Sequence, residues 1–249
     1  LNGKRFDKGG YILTYDYDKW SFIDPKEAQK KLNLPRNPRD YTSIAVTTDD
    51  SNDEIVYASS MGDGVIQYKN GTPVQSYNEK NAFKETAGGY GSGYCYIDGL
   101  AFDKNGNLWM TSSEVNHAVL VLDKAGAWHR LDIEQLRGVY TINDILITST
   151  NDKWIYVPRN TPKLVMIPNS ESLDEVSSYE FTTLIDTDGK ELTPSNYTCV
   201  AEDKDGYIWV GTNRGAVYFT KPRISSAEDK AATRCTRVKY TNEETGNLA

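Results

Sequence analysis

The chain has 249 residues, 38% hydrophobic, 11% aromatic and 25% charged, with 35 acidic against 28 basic side chains and a formal net charge of −7. Seventeen Tyr, five Trp and six Phe supply too much apolar area for a disordered chain. The acidic balance argues against a broad basic face for nucleic acid, and apolar runs such as Ile145-Leu146-Ile147 fall far short of the roughly 20 residues of a spanning helix.

In chain order, the first elements are two short strands, Gly10–Tyr15 and Lys19–Ile23, followed by a helical turn or two over Pro25–Leu32. From Tyr41 the chain settles into a recurring order. An apolar strand comes first: Ser43–Val46, Ile97–Phe102, Ile142–Ile147 and Thr198–Ala201, each opened by a Tyr (Tyr41, Tyr94, Tyr140, Tyr197). Near-continuous apolar runs predict strands buried on both faces. A polar turn follows, Asp103-Lys-Asn-Gly106 or Asp203-Lys-Asp-Gly206, in which Asp bonds the backbone and Gly accepts positive φ. Next come a strand with an aromatic marker (Tyr57, Trp109, Trp154, Trp209) and a third strand, Gly64–Tyr68, Ala118–Leu122 or Gly215–Phe219. Outer strands Val74–Tyr77, Ala127–Leu131 and Thr233–Tyr240 complete the units, and Leu131–Leu136 is a second candidate for a helical turn.

The aromatic markers lie 52, 45 and 55 residues apart, a period in the range of propeller blades. The expected fold is therefore all-β: a β-propeller of four-stranded antiparallel blades, with about five units over 1–40 (partial), 41–80, 94–132, 140–185 and 197–249 (partial). One large flat side chain per sheet fills the wedge between successive blades, so Trp209 is expected to be buried there. Because the first and last units are incomplete, and the chain opens on Leu1 without a signal peptide, the expectation is a fragment of a larger propeller protein.

The run Val200-Ala-Glu-Asp-Lys-Asp-Gly-Tyr-Ile-Trp-Val-Gly-Thr-Asn-Arg-Gly-Ala-Val-Tyr-Phe219 resembles the two-component-regulator propeller repeat. The order of weaker units, with Ile44-Ala-Val46, Tyr57-Ala-Ser-Ser-Met-Gly-Asp-Gly64 and Gly99-Leu-Ala-Phe-Asp-Lys-Asn-Gly-Asn-Leu-Trp109, is similar to the PorZ-like propeller family of the Bacteroidetes type IX secretion system. The resemblance covers most of residues 40–249. It implies a periplasmic or cell-surface recognition domain with polysaccharide or secretion-system proteins as partners. Related propellers imply a second reading, the periplasmic glycan sensor of a hybrid two-component histidine kinase. A propeller lyase or glycosidase is the third.

The residues themselves carry little sign of catalysis. No nucleophile elbow, zinc-protease, P-loop or dinucleotide motif is present, and no cofactor is implied. Cys95, Cys199 and Cys235 have no CxxC spacing, and this together with only two His, His117 and His129, argues against a structural zinc site. Cys95 and Cys199 occupy matching repeat positions and are expected to be inert packed thiols. Asp186-Thr-Asp-Gly189 and Asp203-Lys-Asp-Gly206 do not continue into a calcium loop; no metal ligands are assigned.

Binding is expected at one end of the channel, where loops entering each first strand meet loops leaving each second strand. The first set supplies Tyr90, Tyr94, Tyr140 and Tyr197; the second supplies His117, Arg159, Asn213 and Arg214. Rings stack on pyranose faces, and forked donors bond hydroxyls or acidic groups. A Tyr recurring at one repeat position is also the mark of a framework residue, so the arginines beyond the strand ends are the sharper candidates. The Gly-rich loop Ala87–Tyr94 is the most individual insertion.

Overall fold

The computed structural model describes residues 9–88 and 93–239. The chain divides into two compact units, Leu1–Ile145 and Leu146–Ala249.

In the first unit, β1 (Ile12–Asp16) and β2 (Lys19–Ile23) form a hairpin. Helix α1 (Pro25–Leu32) follows and obeys its local sequence: the Asp24 carboxylate accepts from the Lys26 N–H, Pro25 opens the first turn, and Asn33 closes the helix in the left-handed region at φ 51°. Strands β3 (Tyr41–Thr48), β4 (Glu54–Gly62), β5 (Gly64–Lys69) and β6 (Thr72–Tyr77) make one antiparallel meander. Strands β7 (Cys95–Phe102), β8 (Leu108–Ser112), β9 (Val119–Leu122) and β10 (Trp128–Leu131) make a second. The two join where the end of β4 pairs with the start of β7, Met61 opposite Tyr96 and Gly62 opposite Cys95. Gly99 in β7 lets the chain approach closely: a Cβ there would lie 2.7 Å from Asp144 Oδ1 and 2.8 Å from the Ile145 nitrogen.

The second unit holds a sheet of β11 (Ile145–Ile147), β12 (Lys153–Val157), β13 (Lys163–Ile167) and β14 (Tyr179–Phe181), and a small hairpin of β15 (Leu184–Ile185) and β16 (Glu191–Leu192). It ends in a sheet of β17 (Tyr197–Glu202), β18 (Tyr207–Thr212), β19 (Gly215–Thr220) and β20 (Thr236–Arg237), with helix α2 (Ala227–Ala232) inserted before the last strand. These four-stranded antiparallel sheets are propeller blades. Trp154 fills the space between two of them, 5.9 Å from Phe181 and 5.5 Å from Phe219, with 1% of its surface exposed.

The Asp-Lys-x-Gly turns are built as their residues predict, with one addition. Asp103 Oδ1 accepts from the backbone of Asn105 and Asn107, and its Oδ2 accepts from Trp109 Nε1 at 2.9 Å. Asp203 does the same for Asp205, Tyr207 and, at 2.7 Å, Trp209 Nε1. Each carboxylate ties its turn to the aromatic marker of the following strand. The indoles differ in setting: Trp109 is fully buried, whereas Trp209 lies half-buried against Tyr218 at 4.9 Å.

Several expectations are corrected. Among the apolar first strands, β7 is buried nearly throughout. β3 and β17 instead alternate, with Ile44 and Val46 exposed by 52% and 54%. Each has one face that no other sheet of its own unit covers. Cys199 on β17 is accordingly exposed, while Cys95 is buried as a packed thiol. Residues Tyr140–Asp144 are irregular and the strand starts only at Ile145. Of the expected outer strand Thr233–Tyr240 only Thr236–Arg237 pairs, preceded by α2 (Ala227–Ala232), which Ser226 caps; Tyr240 lies outside the described residues.

Candidate recognition surface

In the second unit, three loops meet at one end of the blades. The Tyr197 N–H donates to the Pro158 carbonyl at 3.2 Å, tying the start of β17 to the loop leaving β12. Asn213, in the tight β18–β19 turn, donates from its backbone to the Asn196 carbonyl at 3.1 Å, and its side-chain oxygen accepts from the N–H groups of Ser195 and Asn196. Asn213 is therefore a loop clamp. Arg214 follows it, exposed; its backbone N–H donates to Thr212 Oγ1, and its guanidinium has no hydrogen bond or ion pair among the described residues. Arg159 and Asn160 are exposed just beyond Pro158, Asn160 at φ 69°. Thus the structure gathers Arg159, Asn213 and Arg214 on connected loops, as their repeat positions imply.

Tyr197 belongs to the framework. It is fully buried among Phe181, Phe219, Ile208 and Cys235, its hydroxyl directed at the Phe181 carbonyl. Burial pushes its phenol well above the ordinary range. Its ring has no face for a ligand.

In the first unit the corresponding loops are knitted by a carboxylate. Glu85 accepts from the backbone N–H of Asn116 at 2.8 Å and of His117 at 3.1 Å, and its other oxygen lies 2.9 Å from His117 Nδ1. Partial burial raises the Glu85 carboxyl, but these bonds outweigh it and hold the group below its ordinary value. His117 is half-exposed and anchors the loop before β7 to the loop after β8. Tyr94 is buried against Met61, Ala87 and Tyr96, its ring edge-on to Tyr96 at 6.3 Å. Tyr140 is 45% exposed. Tyr90 lies outside the described residues. His129 is turned to the outer strand, where Nε2 meets Asp123 at 2.9 Å.

A feature that residue patterns do not single out is a group of carboxylates on the same unit: Asp98 in β7, Glu114 after β8 and Asp144 before β11. Asp98 accepts from Ser113 Oγ at 2.7 Å, and that hydroxyl accepts from the Ile142 N–H at 2.8 Å. Burial drives Asp98 well above the carboxylate range, against the Ser113 bonds and with the neighbouring Asp144 and Glu114 adding to the rise. Burial raises Asp144 and Glu114 as well. The available signal was an Asp interrupting the apolar run Tyr94-Cys-Tyr-Ile-Asp-Gly-Leu100. Among the described residues no group of three or more His, Cys, Asp or Glu is placed to hold a metal ion. No helix among them is long and apolar enough to cross a membrane.

Comparison with known proteins agrees with this architecture. The family model of the two component regulator propeller matches residues 191–214, which span the Asp203–Trp209 turn and reach Arg214. PorZ, described as an essential bacterial surface component of the type-IX secretion system of Porphyromonas gingivalis, superposes on 97% of the chain with a TM-score of 0.82 and 19% identity. The extracellular domain of a proposed hybrid two component system from B. thetaiotaomicron, BT4673, superposes on 82% with a TM-score of 0.51 and 13% identity. The chain spans 32% of the first of these proteins and 25% of the second. At such identities the likeness establishes the propeller fold. No curated protein matches the sequence.

Proposed function

We propose that this chain is a non-catalytic recognition module of a surface or periplasmic protein associated with type IX secretion, binding a glycan or a protein partner through the Arg159, Asn213 and Arg214 loops. The superposition with PorZ over 97% of the chain carries the secretion-associated part of the reading. Support for recognition comes from Arg214, an exposed forked donor on a turn pinned by Asn213. Such a guanidinium pairs bidentately with carboxylate or phosphate. The repeat match at residues 191–214 favours a second reading, the glycan-sensing propeller of a hybrid two-component histidine kinase, in which a bound fragment shifts a conformational equilibrium.

Calorimetric titration against a panel of bacterial surface polysaccharides tests the placement. Arg214→Ala and Arg159→Ala should each weaken binding by about tenfold or more, equivalent to about 1.4 kcal/mol, with unfolding midpoints unchanged. Tyr94 and Tyr197 do not serve as probes, because truncating a buried ring unfolds before it informs. Unchanged affinity in both arginine variants overturns the placement. Release of new reducing ends or unsaturated products from any polysaccharide overturns the non-catalytic reading.

A further inference from the structure

The β1–β2 hairpin of the first unit is a sheet of two strands with apolar side chains on both faces. On one face Ile12 is buried, and Ile23 partly so, against Val56, Ala58, Ile66 and Tyr68 of the β3–β6 sheet. The register sets Leu13 opposite Phe22 and Tyr15 opposite Trp20, and alternation along each strand turns these four away from the Ile12 face. Tyr11, one residue before β1, lies edge-on to Phe22 with centroids 5.4 Å apart, and Tyr15 leans on Trp20 at 4.9 Å. These five side chains are 54–71% exposed.

An antiparallel sheet with one face in water alternates apolar and polar residues. Here the alternation is apolar on apolar, Ile12 and Ile23 on one side and Leu13 and Phe22 on the other, the pattern of a sheet covered twice. The polar groups of the hairpin are provided for internally. The Tyr15 hydroxyl donates to Asp18 Oδ1 at 2.7 Å, and the Thr14 and Ser21 hydroxyls meet each other. The outer face therefore needs only apolar contact. With aromatic side chains worth about 150–250 Å² each, five side chains at this exposure present about 600 Å². Tyr17, 92% exposed at the hairpin tip, extends the patch. Monomers rarely expose contiguous apolar patches beyond about 300–600 Å².

The occupant this face fits is a second copy of itself. Interfaces between different proteins that meet and part are about as polar as any surface, whereas interfaces between identical subunits are the more apolar class. Tyr11, Leu13, Tyr15, Trp20 and Phe22 carry no charge, so the face offers a foreign partner no countercharge to match. A twofold axis in the plane of contact sets each patch on the same patch, as a closed pair requires, and two sheets stack face to face about 10 Å apart with their side chains interdigitated. The area is sufficient: a standard interface takes about 800 Å² from each partner, and weaker pairs take less.

We propose that the chain pairs with a second copy of itself as a twofold dimer, the outer faces of the two β1–β2 hairpins packing on each other through Tyr11, Leu13, Tyr15, Trp20 and Phe22. This interface goes beyond the recognition surface at the Arg159 and Arg214 loops and stands independently of it.

The test is sedimentation equilibrium of the whole chain over about 1–200 µM. The mass should rise from 28.0 kDa toward twice that value and stop there. Leu13→Glu sets a charge in the middle of the face, and Trp20→Thr removes a ring while keeping a strand-forming residue. Both positions are exposed, so unfolding midpoints at low concentration should be unchanged while the dimer dissociation constant rises at least tenfold. A mass of 28.0 kDa at every concentration overturns the proposal. So does a dimer that neither variant weakens, or growth past the dimer to open-ended assemblies. Flotation with phosphatidylcholine vesicles tests a lipid surface as the occupant: a chain that stays monomeric and floats, and no longer floats as Trp20→Thr, overturns it as well.

Discussion

Replacing Asp103 and Asp203 in turn by Ala probes one motif in two settings. In each turn the carboxylate accepts from two backbone N–H groups and one indole N–H, and Asp103 accepts in addition from the turn amide Asn107 Nδ2 at 2.9 Å. The backbone donors lie in exposed or half-exposed turns, where water replaces the lost partner, so each costs about 0.5–1.5 kcal/mol net. The indoles separate the cases. Trp109 is 1% exposed, so its N–H is orphaned at the full desolvation cost of about 1–3 kcal/mol; Trp209 is half-buried and water reaches it. Asp103→Ala should therefore cost about 2–6 kcal/mol, and Asp203→Ala about 1–3 kcal/mol. Urea unfolding, followed by far-ultraviolet circular dichroism and Trp fluorescence so that sequential melting of the two units is detected, measures both. A cycle with Trp109→Phe, which removes the donor and keeps most of the ring, should show Asp103→Ala costing less in the Phe background by about 1 kcal/mol or more. Equal losses at Asp103 and Asp203, or no coupling in the cycle, would refute the reasoning.

Two further predictions follow from the first unit. Gly99→Ala should destabilise it by about 1–3 kcal/mol, since the added carbon meets backbone at Asp144 and Ile145 below 3.0 Å; a variant as stable as the parent in the same urea assay contradicts that packing. Asp98→Asn tests the half-buried carboxylate of β7. Asp98 is raised in the folded state, chiefly by burial, so its contribution to stability is fully present below the ordinary carboxylate value near 4. That contribution is lost as pH rises through the raised folded value. Asn keeps an acceptor for Ser113 and removes the ionisation, so the variant should gain on the parent progressively from pH 4 to 8. Parallel stability–pH curves for the two would sink the idea.

Much of the fold was legible because its determinants are local. Asp24, Pro25 and Asn33 delimit α1. Asp103 and Asp203 announce their turns by side chains that bond backbone two and four residues on. The marker spacing was enough to expect blades. Of the proposed site, the adjacency of the loops bearing Arg159, Asn213 and Arg214 was legible from repeat position, since residues just past a strand end emerge together. Tyr94 and Tyr197 were not separable by pattern from ligand-facing rings, because a recurrent Tyr reads alike whether its face meets solvent or core.

What the sequence determined by itself is the period: apolar strand, Asp-Gly turn, aromatic strand, repeated because each sheet needs the next to cover its face. Only the tertiary structure decided which faces are covered. β7 is buried and β3 is not, though both are apolar runs, because burial depends on what packs against a strand and not on the strand. The same holds for Trp109 and Trp209, identical in motif and different in exposure. Local hydrogen bonding is encoded within a few residues; solvent exclusion is a property of neighbours brought from far along the chain.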